Sequence, residues 1–287
     1  MTTIDATTLE TFRQRRSLGA RVSDLAAEIG FSPWQKLDKL IRHGLPAKSK
    51  QETVSVPIPI PRLPAEAFTS AYKPRSVADI LGQPQVRAAL QTFVASPRSS
   101  AMLFTGPTGV GKTSAALALA VELGCELDAT GIGGVRVIAS GEQTADSVRQ
   151  ALNQLYYTTL RGSGWKVIIV NEADRMHPAA ETIWLDALEN LPSKSVVIFT
   201  TNYAERLSDR FRDRCMTLEF EGARNALGVD ARRLLAFVWR DCTKQEIPSR
   251  VADQIITEAT DSKGVLSYRR LLQIAERELL TKGTQVP

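Results

Sequence analysis

From about residue 65 onward, short apolar runs alternate with longer segments in which apolar residues recur at helical spacing. Short runs rich in β-branched residues predict buried strands, and a period near 3.6 predicts helices. The predicted strands are residues 101–106, 135–140, 166–170, 195–201 and 216–220. The predicted helices between them are residues 112–124, 144–157 and 179–191. Strands that alternate with helices predict an α/β fold in which helices cover both faces of a parallel sheet.

Only helical patterns follow residue 222. They are centred on residues 225–243, 248–260 and 265–281. The sequence therefore predicts an α/β domain at 65–222 and a small helical domain at 223–287.

The N-terminal stretch has a different pattern, which predicts a small all-α head at 1–45. Residues 21–45 predict two short helices with a turn at Gly30, as in a helix-turn-helix motif. The second of these helices carries Lys36, Lys39 and Arg42, and such side chains suit nucleic-acid phosphates. Small helical modules of this kind also dock proteins, so both partner classes stay open.

Residues 46–64 contain five prolines. Alternating proline disfavours a helix and favours extended polyproline II backbone. This stretch is therefore predicted to be a semi-rigid linker that tethers the head.

Composition fits a globular chain with a sizeable core, with 43% hydrophobic and 23% charged residues. Cys125, Cys215 and Cys242 are far apart, which disfavours a disulfide framework or a zinc site. There is no apolar leader at the N-terminus, and no apolar run approaches the ~20 residues of a membrane helix. We therefore expect a cytoplasmic protein without a membrane partner.

Charge is concentrated at the N-terminus. Residues 1–50 hold nine basic and five acidic residues, whereas the whole chain has a net charge of +5. A basic head on a nearly neutral body indicates an acidic partner, with DNA or a DNA-bound protein as the first candidate. A solvated charged surface is the alternative.

The stretch GPTGVGKT at 106–113 fits the pattern G-x-x-x-x-G-K-[ST], after a predicted strand and at the start of a predicted helix. The glycines let backbone N–H groups surround phosphate oxygens, and the helix N-terminus favours the same anions. Lys112 is predicted to neutralise the β- and γ-phosphates, and Thr113 to be a ligand of Mg²⁺. The candidate nucleotide-binding residues are Gly106, Pro107, Thr108, Gly109, Val110, Gly111, Lys112, Thr113 and Ser114.

Two later strands end in polar residues that suit the same site. The strand KVIIV is followed by Asn171 and Glu172, and the strand SVVIFTT is followed by Asn202. Glu172 is placed to act as the base that polarises an attacking water, and Asn171 to lie near the water shell of the metal. Asn202 is a neutral group that can hold the attacking water or touch the γ-phosphate.

These motifs resemble AAA+ ATPases, most of all clamp-loader subunits of the replication factor C and bacterial DNA polymerase III gamma type. The resemblance covers roughly residues 70–285. It is carried by an opening segment at 71–86, the phosphate loop, RFRDRCMTLEF at 210–220 and SYRRLLQIAE at 267–276.

The resemblance implies an AAA+ sheet with a helical lid, ATP and Mg²⁺ as ligands, and assembly with other AAA+ subunits, as in a ring. It implies that the opening segment lies near the adenine and that Arg214 is an arginine finger for a neighbour's γ-phosphate. Arg210 and Arg212 are rival fingers, and a surface salt bridge of Arg214 with Asp209 or Asp213 is the alternative. Arg269 would touch the nucleotide of its own chain, with Arg270 as the fallback.

Asn171 stands where the family carries Asp. An amide keeps one acceptor oxygen but loses the charge, so we expect ATP binding to survive and hydrolysis to be slowed. The sequence thus favours an oligomeric ATPase that loads or remodels a DNA-handling partner. A non-hydrolysing ATP-dependent adaptor and a remodeller of protein substrates are the alternatives.

Overall fold

The computed structural model describes residues 63–127, 133–157 and 161–283, with residues 11, 12, 14, 15, 21, 23 and 24 of the N-terminal stretch. The chain divides into two compact units, residues 1–58 and 59–287. The predicted head at 1–45 and the predicted linker at 46–64 lie almost wholly outside the described residues, so both stay predictions. All elements named below belong to the second unit.

A five-stranded parallel sheet forms the centre of this unit. The strands are β1 (Ser100–Thr105), β2 (Val135–Ile138), β3 (Lys166–Val170), β4 (Ser195–Thr201) and β5 (Met216–Glu219). Their order is β2-β3-β4-β1-β5, so the chain crosses over between non-neighbouring strands. The predicted parallel α/β fold is confirmed.

Helices surround the sheet and follow it. They are α1 (Phe68–Ala71), α2 (Pro84–Ala95), α3 (Lys112–Glu122), α4 (Ala145–Gln154), α5 (Pro178–Glu189), α6 (Asp209–Asp213), α7 (Arg224–Thr243), α8 (Ser249–Ala259) and α9 (Tyr268–Gly283). Single 3₁₀ turns lie at Val77–Asp79, Ala173–Arg175 and Ala204–Arg206. Across the described part of the chain, no helix combines the length and apolar character needed to cross a bilayer.

Successive strand residues point to opposite faces of the sheet, which divides the core in two. Met102 and Phe104 of β1 pack on one face with α2, α3 and the helices α7, α8 and α9, which we call the lid. Leu103 of β1 packs on the other face with α4 and α5. Both faces are therefore covered, as a parallel sheet requires.

Several predicted boundaries differ from the structure by one to three residues, and two of these differences have a clear cause in the backbone. The second strand ends at Ile138 rather than at residue 140, because Glu142 N–H bonds to Ala139 O and Gly141 has a φ of 87°. The last helix begins at Tyr268 rather than at 265, because Val265 and Leu266 form β-bridges with Ala223 and Thr260. In both places, local backbone bonds make the element shorter than its apolar pattern predicts.

The lid is joined to the sheet by hydrogen bonds as well as by apolar packing. The buried Gln83 side chain exchanges two 2.8 Å hydrogen bonds with the backbone of Glu221, and Gly82 N–H donates to Asp230 Oδ2 at 2.9 Å. Leu266 N–H donates to Gly222 O at 2.8 Å. The opening segment, the end of β5 and the lid are therefore positioned together.

A column of aromatic rings supports the short helix α6. Trp184 of α5, Phe199 of β4 and Phe211 of α6 pack edge to face, with ring centroids 5.1 and 4.8 Å apart. All three side chains are fully buried. Because α6 has only five residues, we infer that Phe211 is what holds it against the sheet.

We predict that Phe211→Ala lowers the free energy of unfolding by about 3–5 kcal/mol, because it removes a ring from a closed core. Phe237→Ala is the matched control, since 63% of Phe237 is exposed. That control should cost much less. Denaturant unfolding followed by circular dichroism measures both, and equal losses would contradict the anchoring role of Phe211.

Candidate nucleotide-binding site

The phosphate loop joins β1 to α3 at the carboxyl edge of the sheet, where parallel α/β folds bind ligands. Gly106, Gly109 and Gly111 have φ values of 132°, 82° and 103°, which favour glycine. A β-carbon on Gly106 would collide with Phe220 O, and one on Gly109 with the Ser267 side chain. The loop conformation and its close approach to the lid both require these glycines.

Lys112 is buried at the centre of the loop, with 8% of the residue exposed. Its Nζ donates to Gly106 O at 2.6 Å, Pro107 O at 2.7 Å and Asn202 Oδ1 at 2.8 Å. These acceptors are neutral, and no described carboxylate forms an ion pair with the ammonium group. A buried cation held only by dipoles suits an anionic ligand.

The pKa of Lys112 is lowered to about 8, mainly by burial and to a smaller extent by the nearby Arg269 guanidinium. The carboxylates of Asp174 and Glu172 act in the opposite direction. Two of the predicted site residues, Glu172 and Arg269, therefore act electrostatically on a third, Lys112.

Thr113 and Asn171 meet directly. Thr113 Oγ1 donates to Asn171 Oδ1 at 2.8 Å, and Thr200 Oγ1 donates to the same oxygen at 3.2 Å. The amide oxygen of Asn171 is thus turned towards Thr113, the residue that ends the phosphate loop. A hydroxyl and an amide oxygen are hard donors that fit Mg²⁺, which keeps several of its waters. The described residues hold no cluster of three or more His, Cys, Asp or Glu side chains arranged for a metal.

Glu172 follows Asn171 with an unusual backbone conformation, at φ 53° and ψ 53°. Its carboxylate accepts a hydrogen bond from Ser140 Oγ at 2.6 Å and pairs with Arg175 at 3.3 Å. The side chain is 40% exposed. The carboxylate therefore lies at the open mouth of the site, held by two polar neighbours.

Several residues of this edge carry only a weak signal in the sequence. The turn after β2 contributes Ser140 and the buried Gln143, neither of which lies in a recognisable motif. Asp174 has a side chain only 3% exposed, and it accepts a hydrogen bond from Thr201 at 2.6 Å. A polar residue soon after a predicted strand was the available signal, and it is too common to single these residues out.

Arg214 is held by α5 and α6 of its own chain. Its guanidinium pairs with Glu189, and Nη1 donates to Arg210 O at 3.0 Å. The acidic partner is thus neither Asp209 nor Asp213, and Asp209 instead pairs with Arg212. Within the described ranges, Arg210 makes no ion pair. The partners that Arg214 contacts in its own chain, Glu189 and Arg210, therefore lie outside the phosphate loop.

Arg269 is brought to the loop and Arg270 is not. The backbone N–H of Arg269 donates to Gly109 O at 3.4 Å, and its charge acts on Lys112. Arg270 instead donates to the carbonyl oxygen of Glu258 in α8 at 3.1 Å. Of these two arginines, Arg269 is therefore the one that the structure places at the phosphate loop.

A cleft of about 590 Å³ lies beside the loop, between α3 and residues 64–75. Ser114, next to Thr113, belongs to one wall, and Lys73, Pro74 and Arg75 belong to the other. Part of the predicted opening segment at 71–86 therefore borders a cleft that begins at the phosphate loop.

Residues 102–221 match the family described as "ATPase family associated with various cellular activities (AAA)". The chain contains an AAA ATPase domain. The match includes the phosphate loop and the ends of the two strands that bear Asn171 and Asn202. The resemblance inferred from these motifs is confirmed.

The AAA domain is distantly homologous to replication factor C small subunits. The protein of that name from Methanocella arvoryzae is 31% identical over 165 residues, which is 57% of this chain and 50% of the relative. The one from Thermofilum pendens is 31% identical over 159 residues, covering 54% and 48%. The chain thus spans about half the length of these curated relatives.

The fold is shared with a protein of more distant sequence. The RuvB Holliday junction branch migration motor of Thermotoga maritima superposes with a TM-score of 0.58 at 19% identity. The alignment covers 73% of this chain and 66% of that protein. The AAA+ architecture with a C-terminal helical lid is therefore confirmed.

We predict that the affinity for ATP falls as the pH rises above about 8, where free Lys112 loses its proton. A bound triphosphate favours the charged amine and raises its pKa, so binding at higher pH must include proton uptake. The dissociation constant should rise about twentyfold between pH 7.5 and 9.5.

Lys112→Arg is the control for this profile, because a guanidinium stays charged throughout that range. Its affinity for ATP should be weaker but nearly independent of pH. Calorimetric titration at each pH measures both proteins, and parallel profiles would contradict the assignment of this titration to Lys112.

Proposed function

We propose that the protein is a Mg²⁺-dependent ATPase that acts as an oligomer in DNA handling, as a loader or remodeller of a DNA-bound partner. The observation that carries the proposal is the buried ammonium of Lys112, held only by neutral oxygens inside a glycine loop. A phosphate chain supplies the negative charge that this ammonium lacks.

In this proposal, the phosphate loop and the residues around it bind ATP. The loop N–H groups and Lys112 would hold the phosphates, and Arg269 would approach them from the lid. Thr113 and Asn171 would hold Mg²⁺ and its water shell, and the metal would neutralise charge on the β- and γ-phosphates. The cleft beside Ser114 would take the nucleoside.

In this proposal, residues at the mouth of the nucleotide site carry out hydrolysis. Glu172 would accept a proton from the attacking water, and Asn202, which already contacts Lys112, would help to orient that water. The contacts of Glu172 with Ser140 and Arg175 hold its carboxylate at the mouth of the site. Productive binding requires the carboxylate to exchange one of these partners for water.

Arg214 would complete the site of an adjoining subunit. An arginine bonded to Glu189 on its own chain does not serve its own loop, and a finger supplied in trans requires an oligomer. In a head-to-tail ring each subunit would give one arginine and receive one.

The DNA connection has two supports. Replication factor C small subunits are the relatives in sequence, and a Holliday junction branch migration motor shares the fold. Residues 1–50 carry an excess of basic over acidic side chains suited to DNA or to a DNA-bound protein.

Asn171 favours a second candidate function, an adaptor that binds ATP only to assemble.

The deciding experiment measures phosphate release with Mg²⁺ and ATP, with and without DNA, together with the assembled mass. We expect slow turnover that DNA stimulates and high salt suppresses. ATP-dependent assembly with no phosphate release would instead favour the adaptor. Stimulation by a protein but never by DNA would favour the remodeller of protein substrates.

We predict that Glu172→Gln keeps the affinity for ATP within about twofold and lowers turnover at least about a hundredfold, because an amide does not accept the proton of water. Glu142→Gln, an exposed change of the same charge at the same sheet edge, should retain turnover. Steady-state phosphate release and equilibrium ATP binding measure the two effects. Unchanged turnover in Glu172→Gln would refute its role as the base.

We predict that Asn171→Asp raises turnover several-fold and lowers the Mg²⁺ concentration needed for half-maximal rate. A carboxylate adds negative charge beside the metal and still accepts the hydrogen bond from Thr113. Asn153→Asp, exposed on α4, adds the same charge elsewhere and should change neither quantity. A fall in turnover would show that residue 171 does not serve the metal shell.

A further inference from the structure

Gln143 lies in the turn between β2 and α4, and only 3% of it is exposed. Its side-chain amide faces the two residues that follow β3 and not the solvent. Nε2 donates to the backbone oxygen of Asn171 and to that of Glu172, the latter at 3.2 Å. One amide group therefore donates hydrogen bonds to two consecutive carbonyls, which lie on either side of the Glu172 α-carbon.

These two hydrogen bonds favour one backbone conformation of Glu172. In extended backbone, consecutive carbonyls point to opposite sides, so a single donor reaches both only when the residue between them leaves the β region. Glu172 does so in the left-handed region, which L-residues disfavour. Gln143 thus stabilises a conformation that the chain would otherwise avoid.

The remaining backbone groups of Glu172 are held less directly. Its N–H donates to Thr200 Oγ1 at 3.3 Å, and its carbonyl also accepts from Arg175 N–H at 3.0 Å. The second of these bonds is local to the following 3₁₀ turn. Asn171 N–H donates to Ile138 O of the neighbouring strand β2 at 3.0 Å. Among these contacts, Gln143 is the one that bonds the carbonyls on both sides of the Glu172 α-carbon.

Gln143 Oε1 is buried and has no hydrogen-bond partner in the described part of the chain. A buried acceptor without a partner weakens a fold, so an apolar side chain of similar size would be the better choice for packing alone. The donors of the amide explain why a polar residue fits here. Such violations of packing rules concentrate at functional sites.

We propose that Gln143 is a positioning residue for ATP hydrolysis: it fixes the backbone of Glu172 and so directs the carboxylate towards the phosphate loop. This inference rests on the proposed hydrolysis. Gln143 itself touches neither the loop nor the reacting atoms. Without the hydrogen bonds from Gln143, Glu172 relaxes out of the left-handed region and its side chain leaves the mouth of the site.

The test compares Gln143→Met, which has a similar length and no amide, with the control Val167→Ala. Val167 is buried near the opposite end of β3, so its truncation weakens the fold without touching the carbonyls. We expect Gln143→Met to hydrolyse pre-bound ATP at least tenfold more slowly, with its affinity for ATP within twofold of wild type. The control should hydrolyse at the wild-type rate.

Amide hydrogen exchange across residues 171–175 of the nucleotide-free protein gives a readout that does not depend on hydrolysis. Exchange should quicken at least tenfold in Gln143→Met and stay unchanged in Val167→Ala. Wild-type protein that binds ATP without hydrolysing it would refute the proposed ATPase, and the exchange result would still decide whether Gln143 holds Glu172.

Equal exchange in the two variants would overturn the proposal, because Gln143 would then contribute to stability alone. Quickened exchange with an unchanged hydrolysis rate would overturn it as well, since the conformation of Glu172 would then not matter for the reaction.

Discussion

The charge of Lys112, buried at the carboxyl edge of the sheet, is the constraint on which the site depends. Its ammonium is held by two loop carbonyls and by Asn202, and burial lowers its pKa to about 8. A cation without a carboxylate partner destabilises the protein that contains it, and a bound anion removes that cost. The three glycines with positive φ and the packing of the loop against Phe220 and Ser267 keep the ammonium in this position.

The other polar residues of the site are linked across strands rather than along the chain. Asn171 at the end of β3 accepts hydrogen bonds from Thr113 on α3 and from Thr200 on β4. A change at the end of β3 therefore alters hydrogen bonds that reach α3 and β4. The lid takes part through Ser267 and Arg269, which lie against the loop.

Periodicity and the glycine spacing were sufficient to predict the parallel sheet, its helices and the glycine loop between β1 and α3, because apolar patterns and glycine spacing are local features. The central strands β3 and β4 were predicted with the observed ends, since their apolar runs stop where the buried region stops. Gln143, Ser140 and the pairing of Arg214 with Glu189 were not predictable. Each depends on which turn or helix end the fold brings beside another, and residue spacing carries no such information.

Equilibrium binding of ATP in the presence of Mg²⁺, compared between the full chain and Lys112→Ala, tests the central claim most directly. The account predicts one site per chain in the wild-type protein and a loss of affinity of at least about a hundredfold in the variant, roughly what removing a charged hydrogen-bonding partner costs. Wild-type protein that binds no ATP, or a variant that binds it equally well, would contradict the assignment of residues 106–113 to the phosphate chain.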